Sequence, residues 1–159
     1  MSYDSLLGSH VIREHRFNRR EARVRVGEML LLADRDLEYA QAGGLPLDLH
    51  YLCAYSVTRV AAELVMLSEG FRPGSAMGKH AAVFRFLAEV DAGRWATEAR
   101  LFDKARQIRN ELEYERPNVA TQGEVDELSD RAAAFLADVR PWLRLRHPEL
   151  LQPPSSEPS

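Results

Sequence analysis

The chain is predicted to be all-α: an up-and-down bundle of four long helices with one short helix inserted, joined by short loops. Three observations predict this. Apolar residues recur at i, i+3, i+4 and i+7 through most of the 159 residues. Glycine and proline cluster between those runs. No stretch alternates apolar with polar residues as a half-buried strand would.

Residues 1–16 show little periodicity and are expected to form a flexible N-terminal arm. The bundle is expected over residues 17–145. From about Asn18 to Ala42, residues Ala22, Val26, Met29, Leu30, Ala33 and Leu37 keep helical spacing. Gly43-Gly44 ends that run, since glycine accepts the left-handed conformation common after a helix. Pro46 opens the next helix, where its missing N–H costs nothing. That helix reaches about Glu69, with Leu49, Leu52, Cys53, Val57, Val60, Ala61, Leu64 and Leu67 inward. Its wide apolar arc predicts a central position. Gly70 stops it, and Phe71-Arg72-Pro73-Gly74 reads as a turn.

A shorter helix follows from about Gly78 to Val90, with Val83, Phe84, Leu87 and Val90 on its apolar face and His80 at the head of that stripe. Asp91-Ala92-Gly93 breaks it. The next helix spans about Trp95 to Tyr114 and ends before Pro117, because the residue preceding a proline avoids helical geometry. Thr121-Gln-Gly-Glu124 reads as a capping box for the last helix, whose seam is Val125, Leu128, Ala132, Phe135 and Val139. Pro141 is expected to end or kink it. Residues 146–159, closing on QPPSSEPS, hold four of the eight prolines and are expected to be a disordered tail.

Composition narrows the function classes. Hydrophobic residues make up 45% and charged residues 28%, ordinary for a globular chain that buries a core unaided. The single cysteine, Cys53, supports neither a disulfide framework nor a metal site. Charged termini around a long apolar run are missing, so no leader and no membrane span are expected, and the cytoplasm is the default location. A net charge of −3 means the whole surface is no trap for nucleic acid. Arg13, Arg16, Arg19, Arg20, Arg23 and Arg25 nevertheless crowd the N-terminal region. They read either as a solvated helix start or as an arm contacting phosphates.

The densest chemistry lies in LFDKARQIRNELEYERP. Arg106, Arg109, Asn110 and Glu113 fall at i, i+3, i+4 and i+7 and share one helix stripe about 10 Å long. Leu101, Ala105, Ile108 and Leu112 form a second stripe. Guanidinium forks grip phosphate or carboxylate in pairs of hydrogen bonds. An asparagine inside a helix is poorly explained by a merely solvated face. Arg109 also reads as a surface partner of Glu113, Asn110 as an amide satisfying a neighbouring backbone, and His80 as a structural histidine. No second histidine or carboxylate stands at metal spacing beside His80, so neither a metal nor another cofactor is expected. Trp95 and Phe102 lie on the Arg106 line, so either the bundle or a second subunit must cover them.

This helix, with Gly78-Lys-His80 and the order of the other helices, resembles the signature region of the HEPN superfamily. Arg109 and Asn110 match the first two positions of the family's Arg-polar…His motif; Tyr114 stands where the histidine would be. The resemblance implies an all-helical bundle, and metal-independent RNA cleavage in members that keep the histidine. On that basis Arg109, Asn110 and Tyr114 are the candidate catalytic residues, and Arg106, Glu113 and His80 the candidate binding residues. A phenol is a poor general base at neutral pH. The resemblance implies a two-fold homodimer pairing two Arg109-Asn110 patches. Three functions follow: a non-catalytic or weakly active module binding RNA, a nucleotide or a partner protein; a toxin-type endoribonuclease; or a structural partner of a small nucleotidyltransferase.

Overall fold

The computed structural model describes residues 3–113 and 120–151. In chain order it contains α1 (Asp4–Gly8), β1 (Ile12–Glu14), α2 (Arg19–Gln41), α3 (Leu47–Ser68), β2 (Phe71–Pro73), α4 (Lys79–Gly93), α5 (Ala96–Glu113), α6 (Gln122–Arg146) and a closing 3-10 turn (Pro148–Leu151). The fold is all-α, as predicted, apart from one small two-stranded sheet.

The helices begin where side chains satisfy their first N–H groups. Asn18 accepts from the Glu21 N–H at 2.8 Å. Thr121 accepts from the Glu124 N–H at 3.2 Å, and the Glu124 carboxylate accepts the Thr121 N–H in return. Such caps typically contribute about 1 kcal/mol each. α3 packs against α2, α4, α5 and α6, and so takes the central place its apolar arc predicts. Val57, Val60, Ala61 and Leu64 are buried, whereas Leu49, in its first turn, is exposed.

Trp95 and Phe102 are fully buried by the chain itself. Phe84, Phe102, Phe135, Trp95 and Trp142 form one aromatic column, with successive ring centroids 6.1, 5.2, 5.4 and 5.2 Å apart. Edge-on and tilted ring pairs contribute about 0.5–1.5 kcal/mol each beyond their burial. Each indole also finds an acceptor: Trp95 donates to Asp138 at 2.8 Å and Trp142 to Asp91 at 3.1 Å. The apolar surplus that invited a second subunit is thus absorbed within the bundle.

Three expectations are corrected. Residues 4–14 are not a loose arm: Leu6, Val11 and Ile12 are buried, and β1 pairs antiparallel with β2, Ile12 opposite Pro73, Arg13 opposite Arg72 and Glu14 opposite Phe71. The turn expected at Phe71–Pro73 is therefore the partner strand. Gly74 permits this closure, because a Cβ there would sit 2.2 Å from the His10 carbonyl oxygen. Of the two outcomes expected at Pro141, an end or a kink, the end is excluded, because α6 runs five residues further to Arg146. Burial of Trp142 and Leu143 holds that last turn in place, at the loss of the one helical hydrogen bond that Pro141 cannot donate, to the carbonyl of exposed Ala137. The expected tail from 146 begins with structure: the Pro148–Leu151 turn packs on α2 and buries Leu150.

The two ends of the described chain meet at Glu69, the C-cap of α3. Its nearly buried carboxylate accepts from Tyr3 at 3.3 Å, from Arg146 at 2.9 Å and from His147 at 3.0 Å. Burial pushes the Glu69 carboxyl up, but the hydrogen bonds from His147 and Arg146 outweigh it and hold the group below its ordinary range.

Among the described residues, no helix is long and apolar enough to cross a membrane.

Candidate functional site

α4 begins at Gly78, whose extended backbone starts the helix without any capping side chain. The first helical bond runs from the Ala82 N–H to the Gly78 carbonyl, so the N–H groups of Lys79, His80 and Ala81 have no partner within the helix. The positive end of the helix dipole sits at this point. α5 passes beside it, and the stripe periodicity brings Arg106, Arg109 and Asn110 around to face it. Together Gly78, Lys79, His80, Ala81, Arg106, Arg109 and Asn110 line an open cleft of about 350 Å³.

Within the cleft the side chains are ordered by one another. Arg106 donates from Nε to Asp103 at 2.8 Å, which fixes the guanidinium one turn from its own backbone. Arg109 reaches the Asn110 side-chain oxygen at 3.4 Å. Its guanidinium also lies 5.8 Å from the centre of the Tyr55 ring, an aromatic face supplied by α3. The Tyr55 hydroxyl is 3.0 Å from His80 Nδ1. Burial pushes the Tyr55 phenol up to about 12 against the pull of nearby arginines, so it keeps its proton. With that proton donated to Nδ1, the ring proton of His80 sits on Nε2 and the imidazole offers a neutral N–H.

The histidine's charge state follows from its neighbours. Burial is the first cause, and Arg59, Arg109, Lys79 and Arg106 add to it, taking His80 down to about 4. The charged neighbours that act most strongly on this ring are all cations. The cleft can therefore receive an anion through two guanidinium forks, an ammonium, an amide and free helix N–H groups. It offers a poor general base at neutral pH, because a group that gives up its proton near 4 takes one up weakly.

The structure thus places Arg106, Arg109, Asn110 and His80 in one cleft. The side chain of Glu113 and the whole of Tyr114 lie outside the described residues. Lys79 and Tyr55 belong to the site and escaped sequence reasoning. Lys79 was legible in principle as the neighbour of His80 in Gly-Lys-His. Tyr55 was not, since its ring reaches the cleft only through the packing of α3 on α4 and α5.

Other grooves differ in charge. One, of about 610 Å³, mixes Glu14, Glu69 and Glu149 with Arg16 and Arg19 and concentrates no single sign. Cys53 is partly buried, and burial followed by nearby Asp36 pushes its thiol up, away from reactivity. Among the described residues, no three His, Cys, Asp or Glu side chains gather at metal-binding distance. No family model, no curated protein and no solved structure matches this chain.

Proposed function

We propose that this chain binds the phosphate groups of RNA or of a nucleotide in the cleft between α4 and α5, without efficient cleavage. The observation that carries the reading is the convergence of Lys79, Arg106 and Arg109 on the uncapped N-terminus of α4. The HEPN resemblance supports RNA as the source of the phosphate. The low pKa of His80 and the tyrosine at position 114 support binding over catalysis. Loss of a well-placed acid or base typically costs about 10²–10⁴ in rate.

The test is fluorescence anisotropy with labelled single-stranded RNA and with a labelled nucleotide, in EDTA, across a salt series. Wild type is expected to bind, and Arg106→Ala/Arg109→Ala to lose at least about tenfold in affinity. The salt slope for RNA should fall by roughly 0.7 for each phosphate contact removed. Equal binding by wild type and variant would sink the proposal. Running the same RNA on a denaturing gel separates the readings: cleavage by wild type that vanishes in Arg109→Ala would replace a binding module with a ribonuclease.

A further inference from the structure

A second cationic pocket adjoins the first. It measures about 510 Å³ and is lined by Arg13 and Arg72 from the small sheet and by Lys79, over a floor that includes Met29, Met66 and Phe71. Lys79 also lines the α4–α5 cleft, so the two pockets share a wall. The register of the sheet sets Arg13 directly opposite Arg72. Like charges facing each other across a ladder destabilise a sheet. Among the described residues, no carboxylate pairs with Arg13, Arg72 or Lys79; the one acid in the lining, Glu63, is engaged by Arg59 at 3.0 Å. Arg72 rests on the Phe17 ring, 5.2 Å from its centre, which holds the guanidinium in place without neutralising it. Two cations pinned side by side by the backbone, above an apolar floor, suit a ligand that brings both negative charge and a flat apolar body. A nucleotide unit is such a ligand.

We infer that the two pockets form one track for a single-stranded RNA. A phosphate lies in the α4–α5 cleft, the strand passes Lys79, and the next unit lays its base on Phe71, above the buried Met29 and Met66, with its phosphate between Arg13 and Arg72. This rests on the proposed phosphate binding and deepens it: the ligand is an oligonucleotide, and the sheet selects it over a mononucleotide.

The test compares Arg13→Gln/Arg72→Gln with wild type, using labelled AMP and a labelled single-stranded RNA of about ten nucleotides. The expected result is a loss of about tenfold or more in RNA affinity, a salt slope lower by roughly 1.4 for two lost contacts, and unchanged AMP binding. Retained RNA affinity and slope in this variant, beside loss in Arg106→Ala/Arg109→Ala, overturns the track and leaves the cleft standing. If wild type binds neither ligand, the cleft reading fails and the track fails with it. Removing a like-charge pair should leave the melting temperature unchanged or higher. Should the double variant unfold, Arg13→Gln alone, at an exposed strand position, is expected to lower the slope by about half as much, and an unchanged slope overturns the track.

Discussion

His80 carries the most distinctive residue-scale signature of the molecule. Its ordinary value is 6.5 and its folded value about 4, so between those pH values the unfolded chain binds more protons than the folded one. The stability this group contributes is intact above pH 6.5 and is lost as pH falls toward 4. An anion in the cleft acts in the opposite sense, because it favours the imidazolium. Following the His80 ring by NMR should give a midpoint near 4 in low-salt, phosphate-free buffer, and a higher midpoint once inorganic phosphate is added. A midpoint indifferent to phosphate would argue that no anion reaches the ring. At this scale much of the site was legible: the spacing of Arg106, Arg109 and Asn110 already set them on one face. What spacing could not show is which neighbour that face meets. The pairing of His80 with Tyr55 joins residues 25 apart in sequence, on two helices whose relative placement depends on the whole core.

At the scale of the element, the kink at the C-terminal end of α4 stores backbone strain. Asp91 and Ala92 both adopt positive φ, 50° and 56°, just ahead of Gly93 at 77°. Aspartate tolerates that region, but alanine has neither glycine's freedom nor a side chain to bond locally. Asp91 earns its conformation through the Trp142 indole, which ties the break to α6. Ala92 is exposed. Ala92→Gly is therefore expected to raise stability by about 1 kcal/mol, seen as a higher urea midpoint at unchanged slope. A lower midpoint would mean that the greater freedom of glycine in the unfolded chain outweighs the relief. The break itself was readable from Asp91-Ala92-Gly93, as were the glycine stop after α2 and the capping box of α6. The three-residue strands were not. β1 and β2 are too short to show a period, and each is stabilised by a partner some sixty residues away. For a related reason Pro141 does not end α6: local rules disfavour it mid-helix, while burial of Trp142, the last ring of the aromatic column, and of Leu143 overrides them.

Across the whole molecule, α3 organises everything else. It packs against α2, α4, α5 and α6, and its C-cap holds Tyr3 together with Arg146 and His147. This arrangement decides where function can sit. The floor of the second pocket comes from α2, α3 and β2, and its cations come from β1, β2, the start of α4 and α2, whose Arg25 is paired with Glu28. The small sheet, which looks incidental in an all-helical chain, is what sets Arg13 and Arg72 in the pocket beside the α4–α5 cleft. Charge counts along the sequence suggested two separate basic features; Arg13 and Arg25 of the first line the pocket that shares Lys79 with the second, while Arg16 and Arg19 line another groove.

The carboxylate of Glu69 has a topological consequence. Because it grips Tyr3, Arg146 and His147 at once, it helps draw residues 3–147 into a loop. Such a loop can be sealed there and cut elsewhere. Gly43-Gly44 between α2 and α3 is exposed, and no Cβ placed at either glycine would touch a neighbour. A circular permutant running from residue 44 to 151, through a Gly/Ser linker of about twelve residues that reaches roughly 19 Å, and on from residue 3 to 43, is expected to fold. Its far-ultraviolet dichroism should match that of the parent and its melt should stay cooperative. A broad, uncooperative melt would show that the order in which α2 and α3 are joined, and not the Glu69 clasp, keeps the bundle together.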